Sequence, residues 1–241
     1  MQIQDFSKWG LLAFVMAFTF NSVSVSSTEN HKTPLVATHI KPDSSQWLLY
    51  DSLQLNLKGL SKEAYNYALA GYNKLLQAGK IKNDETLTII DFSLPSTAKR
   101  LFVIDLKLGE VLFNTLVSHG KNSGKAIASQ FSNKANSYKS SLGFYITSNT
   151  YIGKHGLSLR LEGEEKGIND NALNRGIVMH CADYVTEDLI NSQGYIGRSE
   201  GCPAVPPQEH KAIINTIKDG SCLFIYSPVK QYISKSRLIE S

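Results

Sequence analysis

Cysteine is scarce in this chain, since Cys181, Cys202 and Cys222 are the only three among 241 residues. An odd number excludes complete pairing in a monomer, so at least one thiol stays free. In an oxidising compartment a free thiol is either buried and inert or chemically useful. Cys222 lies inside an apolar segment, which predicts a buried, inert thiol.

Long apolar runs are also lacking. The N-terminal run at 9–20 has twelve residues, whereas a helix that crosses a bilayer needs roughly 20. Lys8 precedes this run and small residues follow it at 22–27, which is the pattern of an export signal. We therefore predict a cleaved signal over 1–27, an exported periplasmic or envelope-associated mature protein, and no stable membrane span after cleavage.

A concentrated basic surface is missing as well. The 25 Lys and Arg residues outnumber the 21 Asp and Glu residues only slightly, and they are spread in ones and twos along the chain. Nucleic acid is therefore not an expected partner. The spacings H-x-x-x-H and C-x-x-C are absent too, which makes a zinc site a weak alternative and leaves no metal or other cofactor expected.

One helical pattern and many short β-rich runs make up the rest of the sequence. Residues 28–45 are polar and aperiodic, which predicts a flexible leader. Ser61 is a good N-cap for a helix that ends near Gly79, so residues 46–84 form a predicted N-terminal helical extension. Strands are predicted at 86–92, 101–106, 111–117, 142–147, 157–161, 176–179 and 222–226.

Two further helices are predicted, one after the possible cap Thr186 and one over about 207–218. These elements indicate a mainly β fold with flanking helices, an α+β class, with a largely antiparallel core. We assign the main domain to 85–228 and a C-terminal tail to 229–241.

The clearest chemical signal is Cys202, which stands between Gly201 and Pro203. No helix can continue through the proline, so the cysteine is displayed on a tight loop. A thiol with a pKa near its usual value of about 8.5 is mostly protonated at neutral pH, and a histidine is its usual helper. His180, at the end of a predicted strand, is the best-placed candidate, but the spacing alone excludes neither His119 nor His155.

The segment Arg198-Ser199-Glu200-Gly201-Cys202-Pro203-Ala204, with His180 upstream, resembles the signature of murein L,D-transpeptidase (YkuD-type) catalytic domains. The similarity extends over roughly 55–226. It includes the stretches at 87–93, 112–120, 140–145, 153–159 and 167–170, which resemble a subgroup with an N-terminal helical extension. The resemblance implies an L,D-transpeptidase-like antiparallel β-sandwich or barrel core.

The activity that this resemblance implies is acyl transfer on peptidoglycan stem peptides. Cys202 would attack the carbonyl of the diaminopimelate L-centre, expel the terminal D-alanine and form a thioester. His180 would act first as general base and then as general acid. The backbone N–H groups of Gly201 and Cys202 would stabilise the oxyanion, and an amine of a second stem would resolve the thioester.

The neighbouring residues receive secondary roles. Arg198 is expected either to hold a stem-peptide carboxylate or to brace the loop, and Ser199 either to orient the loop or His180 or to serve the turn. His119 and His155 are candidates for lining the substrate groove, but a structural role is favoured for both.

Three residues depart from the family pattern. Glu200 stands where the family has His or an aromatic residue, Cys181 stands where Gly or Ser follows the histidine, and Glu164 replaces an apolar residue. These departures leave the nucleophile and the base in place and concern the groove.

Three other functions remain open at this stage. Water as acceptor would make the protein an L,D-carboxypeptidase. Loss of the chemistry would leave a catalytically silent wall-binding module. A zinc hydrolase using His119, His155, His180 and a cysteine is the third alternative.

Overall fold

The computed structural model describes residues 44–240. The predicted export signal at 1–27 and nearly all of the predicted leader at 28–45 lie outside these residues. Within residues 44–240, no helix is both long and apolar enough to cross a membrane.

Eight strands form one mixed sheet in the order β3-β2-β1-β8-β4-β5-β6-β7. The strands are β1 (Thr86–Asp91), β2 (Leu101–Asp105), β3 (Glu110–Thr115), β4 (Gly143–Gly153), β5 (Gly156–Gly163), β6 (Val178–Cys181), β7 (Ala204–Val205) and β8 (Cys222–Tyr226). Two neighbouring pairs are parallel, β1 with β8 and β6 with β7, and the others are antiparallel. The predicted, largely antiparallel β core is therefore confirmed.

The two ends of the sheet nearly meet, which gives the core the form of an almost closed barrel. The chain that continues from β3 runs beside β7, where the N–H of Ser118 donates to the carbonyl of Ala204 at 2.8 Å. The N–H of Ala204 donates back to Oγ of Ser118 at 3.2 Å. This closure removes the exposed sheet edges there and lays the segment after β3 against the loop that carries Cys202.

Within residues 44–240, five helices accompany the sheet: α1 (Ser44–Ser52), α2 (Lys62–Gln77), α3 (Glu187–Gln193), α4 (His210–Ile217) and α5 (Lys230–Ile233). The predicted cap of α2 is confirmed, because Oγ of Ser61 accepts a hydrogen bond from the N–H of Ala64 at 3.1 Å. Thr186 likewise caps α3 by accepting from the N–H of Leu189. The C-terminal segment also docks, since the hydroxyl of Tyr232 on α5 donates to the buried carboxylate of Glu165.

Helix α2 packs against the sheet through its apolar stripe. A Cβ atom on Gly71 would lie 2.0 Å from the ring of Phe144, so glycine is what permits this close approach. The Phe144 ring stacks on Phe224 of β8, with the ring centroids 4.2 Å apart. The helix is therefore joined to the core of the sheet, as its amphipathic pattern predicts.

Some predicted boundaries were wrong. The strand predicted at 176–179 lies at Val178–Cys181, so His180 is inside β6 and pairs with Ala204 of β7. Strands β4 and β5 are longer than predicted because they continue outward as a hairpin, turning between Gly153 and Gly156. The short elements β7 and α5 have no counterpart in the sequence prediction.

Candidate functional site

Cys202 and His180 lie in the wall of one open cleft with a volume of about 550 Å³. We call it the cysteine cleft. It is lined by Lys121, Tyr151, Gly153, Lys154, His155, Ser158, Arg175, Gly176, Ile177, Val178, His180, Tyr184, Arg198, Ser199, Glu200 and Cys202. Five of the seven site residues predicted from the sequence line this cleft: Cys202, His180, Ser199, Arg198 and His155.

Ser199 fixes the shape of the cysteine loop. Its hydroxyl donates to the carbonyl oxygen of Cys202 at 2.6 Å and accepts from the N–H of Gly201 at 3.1 Å. Its own N–H donates to the carbonyl of His119 at 2.9 Å. Ser199 therefore positions the loop by turn chemistry and makes no hydrogen bond to His180 among those described.

Gly201 adopts a conformation that favours glycine, with φ of +128°. A Cβ atom there would lie 2.8 Å from the carbonyl oxygen of Lys139. The N–H of Gly201 donates to Oγ of Ser199, so in this structure it is not free to act as the oxyanion donor that was expected. Among the hydrogen bonds of residues 44–240, none uses the N–H of Cys202, so this donor is free to bind a substrate oxygen.

The thiol of Cys202 sits against the start of β6. The N–H of Val178 donates to Sγ at 3.5 Å, and Sγ lies 3.7 Å from the carbonyl oxygen of Gly176. Burial raises the pKa of this thiol, while the Val178 N–H and the charge of Arg175 oppose the increase. The resting group is therefore a protonated thiol at neutral pH.

His180 is held in a defined tautomer. Its Nδ1 lies 2.7 Å from the carbonyl oxygen of Cys181, and because a carbonyl only accepts, Nδ1 carries the proton. The other ring nitrogen, Nε2, then holds a lone pair and can serve as a base. Burial lowers the pKa of His180, and the nearby charges of His155 and Lys154 lower it further. The hydrogen bond to the carbonyl of Cys181 acts in the opposite direction and raises the pKa. The imidazole is therefore neutral at neutral pH.

His155 contacts His180 from the tip of the β4–β5 hairpin. Its ring stacks on the His180 ring, with centroids 4.5 Å apart and planes 23° from parallel. The thiol of Cys181 donates to the carbonyl of His155 at 3.1 Å, which ties the hairpin tip to β6. Exposed His155 lines the cysteine cleft, and its stacking orients His180.

His119 lies elsewhere, fully buried and outside the lining of the cysteine cleft. Its Nδ1 accepts from Nη2 of Arg100 at 2.8 Å, and its Nε2 lies 3.3 Å from the carbonyl oxygen of Gly124. Burial and the charge of Arg100 lower the pKa of His119 to about 4. His119 therefore does not line the cysteine cleft, which was one of its two expected roles. Its ring braces the segment beside the cysteine loop.

Replacing His119 by alanine is expected to destabilise the fold by about 3 kcal/mol, since the buried guanidinium of Arg100 loses an acceptor and a cavity forms. Urea unfolding checks this, with exposed His155→Ala as a matched control that stays within about 0.5 kcal/mol. An unchanged stability with lost activity would instead give His119 a chemical role.

Arg198 braces the neighbouring loop. Its Nη1 donates to the carbonyls of Lys121 and Gly124, at 3.2 and 3.1 Å. Arg198 thus braces the loop through hydrogen bonds to backbone carbonyls and not through a salt bridge. Binding of a substrate carboxylate by Arg198 stays a prediction.

The sequence analysis missed several residues of the cleft, and two of them, Arg175 and Tyr184, interact electrostatically with Cys202. Arg175 donates to the carbonyls of Ser132 and Lys139, at 2.8 and 2.6 Å, and its charge stabilises the Cys202 thiolate. Burial raises the pKa of Tyr184, and the negative charge of a Cys202 thiolate contributes in the same direction. Neither residue stands in a recognisable motif, so only their spatial proximity to Cys202 identifies them.

The histidines of the described part of the chain do not assemble a metal site. Within residues 44–240, no group of three His, Cys, Asp or Glu side chains is arranged to hold a metal ion. The ring of His119 is bonded to Arg100 and lies outside the cleft that His155 and His180 line.

Comparison with known proteins identifies a family match. Residues 56–226 match a family model described as the L,D-transpeptidase catalytic domain. No curated protein was found to match the chain.

Similar solved structures include three L,D-transpeptidases. That from Mycobacterium smegmatis is 16% identical, with 59% of each chain covered and a TM-score of 0.37. That from Stackebrandtia nassauensis is 14% identical, with 69% of this chain and 67% of that chain covered and a TM-score of 0.36. One from Mycobacterium tuberculosis is 12% identical, with 59% and 58% covered and a TM-score of 0.38. The chain thus spans 59% of the length of the first of these structures.

Proposed function

Since the chain belongs to the L,D-transpeptidase catalytic-domain family, we propose that it transfers acyl groups between peptidoglycan stem peptides through a thioester on Cys202. The observation that carries the proposal is a thiol and a neutral imidazole of fixed tautomer in the wall of one cleft. This pair supplies the nucleophile and the base that acyl transfer needs.

The first half-reaction starts from a neutral pair. As Sγ attacks the carbonyl carbon of the diaminopimelate L-centre, Nε2 of His180 takes the thiol proton. The N–H of Cys202 donates to the developing oxyanion. Protonated His180 then gives the proton to the amine of the departing D-alanine, which leaves the stem bound as a thioester.

The second half-reaction determines whether the protein acts as a transpeptidase or as a carboxypeptidase. An amine of a second stem attacks the thioester, its proton passes through His180 to the leaving thiolate, and a cross-link forms. Water in place of the amine would yield a shortened stem, which is L,D-carboxypeptidase activity.

Product analysis with purified tetrapeptide muropeptides tests the proposal. We expect cross-linked dimers together with released D-alanine. Shortened stems alone would assign the carboxypeptidase reaction. The absence of any product, with no mass increase on exposure to a carbapenem, would favour a silent wall-binding module.

The substrate also bears on location, because peptidoglycan lies outside the cytoplasmic membrane. We propose that the chain acts there after export by the predicted signal at 1–27. Fractionation of cells producing the full chain checks this, and a protein retained uncleaved in the cytosol would contradict it.

The protonation states predict a specific pH dependence. Because burial raises the pKa of Cys202, its alkylation by iodoacetamide should increase with pH through a midpoint above the usual pKa of a free thiol. Peptide mass mapping at each pH separates Cys202 from Cys181. A midpoint at or below neutral pH would instead indicate a preformed thiolate–imidazolium pair.

A further inference from the structure

Glu200 is a carboxylate on the rim of the cysteine cleft, two residues before the nucleophile. Among the cleft-lining residues that the structure describes, it is the single acidic side chain, beside the cationic residues Lys121, Lys154, Arg175 and Arg198. Glu200 is therefore the one carboxylate of the cleft lining that can form an ion pair with a positively charged substrate near Cys202.

The backbone under Glu200 is fixed while its side chain is free to contact solutes. Ser199 is held by the carbonyl of His119, and Gly201 is held by the Ser199 hydroxyl. The carbonyl of Gly201 also accepts from Oγ of Ser140 at 3.2 Å. The Glu200 side chain itself is 71% exposed, so its carboxylate is presented from a rigid base.

The partner of Glu200 in this structure is Lys121, whose Nζ lies 3.1 Å from Oε1. The same Nζ lies 4.0 Å from the centroid of the Tyr138 ring, which is cation–π distance. Lys121 thus has a second favourable contact when Glu200 binds another cation. An exposed pair of this kind is weak enough to exchange.

We propose that Glu200 is a specificity-determining residue, which binds the ammonium group of the acceptor by displacing Lys121 and so favours amines over water in the second half-reaction. This inference rests on the proposed acyl transfer through Cys202. It assigns a role to one of the three positions that depart from the expected family pattern.

The chemical step leaves Glu200 unchanged. The bound ammonium loses one proton to solvent, and the neutral amine nitrogen forms a bond with the thioester carbonyl carbon. The carbon–sulfur bond breaks, and the second proton passes through His180 to the departing thiolate. The products are an amide and the free Cys202 thiol.

The charge of Glu200 also disfavours the Cys202 thiolate. Removing the charge should therefore not slow the first half-reaction. The two half-reactions are thus expected to respond differently to one substitution, which a merely structural role would not produce.

The test compares two acceptors with wild type and three variants. Diaminopimelate carries ammonium groups, whereas hydroxylamine is an uncharged nucleophile near neutral pH. For Glu200→Gln we expect the KM for diaminopimelate to rise by up to about fivefold, the upper limit for an exposed ion pair. We expect kcat at saturation and hydroxamate formation to stay unchanged. Lys121→Met should lower the same KM, because the competing cation is gone.

Glu85→Gln is the matched control, because Glu85 forms a similar exposed pair with Lys107 at 2.8 Å outside the cleft. Its KM values should equal those of wild type. If hydroxamate forms normally but Glu200→Gln uses diaminopimelate as wild type does, the inference about Glu200 is wrong. If wild type releases no D-alanine and forms no hydroxamate, the proposed acyl transfer itself fails.

Discussion

Replacing Cys202 by alanine is expected to abolish all product formation and to leave the fold intact. The thiol makes only weak sulfur contacts with Val178 and Gly176, whereas Ser199 and the β6–β7 pairing hold the loop. The substitution removes the nucleophile with little effect on the loop. Muropeptide chromatography measures the products, and thermal unfolding checks the fold.

Cys181→Ala is the matched control for this experiment. Cys181 is also unpaired and neighbours His180, but its thiol points to the carbonyl of His155. We expect Cys181→Ala to retain turnover and to gain the mass of a bound acyl group. Cys202→Ala should show neither the turnover nor the mass increase. Turnover by Cys202→Ala would remove this residue from the mechanism.

Replacing His180 by alanine should lower kcat/KM by about two to four orders of magnitude, which is the usual contribution of general acid–base help. The loss should fall on acylation and on aminolysis alike, because the same Nε2 moves the proton in both. Stopped assays that follow D-alanine release and dimer formation separately would measure the two.

Two other histidine variants serve as comparisons for His180→Ala. His155→Ala removes the stacking partner but not the base, so we expect a loss of less than about tenfold. His119→Ala should act through stability. If His119→Ala, measured on folded protein, reduced acylation more than His180→Ala, the assignment of the base would be wrong.

Much of the fold was predictable because its signals are local. The N-caps Ser61 and Thr186, the apolar stripe of α2 and the strand β8 depend on residue type and on spacing within a few positions. Cys202 stands in a short local motif, and the family resemblance made it and His180 the candidate nucleophile and base. The register of β6 was missed, since its placement depends on pairing with β5 and β7.

The electrostatics of the site were not predictable from local patterns. The charge of Arg175 near Cys202 and the bond between Arg100 and His119 join residues that are distant in sequence. The direction of a pKa shift depends on burial and on such neighbours. The sequence therefore indicated candidate reacting groups, but it indicated neither the directions of their pKa shifts nor the buried position of His119.

The place of β8 in the sheet has a consequence for how the chain folds. This strand is almost the last element in sequence, yet it lies between β1 and β4 and joins the two halves of the sheet. Pairings between such distant segments must overcome a large loop-closure entropy and form slowly. Residues up to Tyr226 must therefore be synthesised before the barrel can close, and a truncation before Cys222 would leave Cys202 on an unfolded polypeptide.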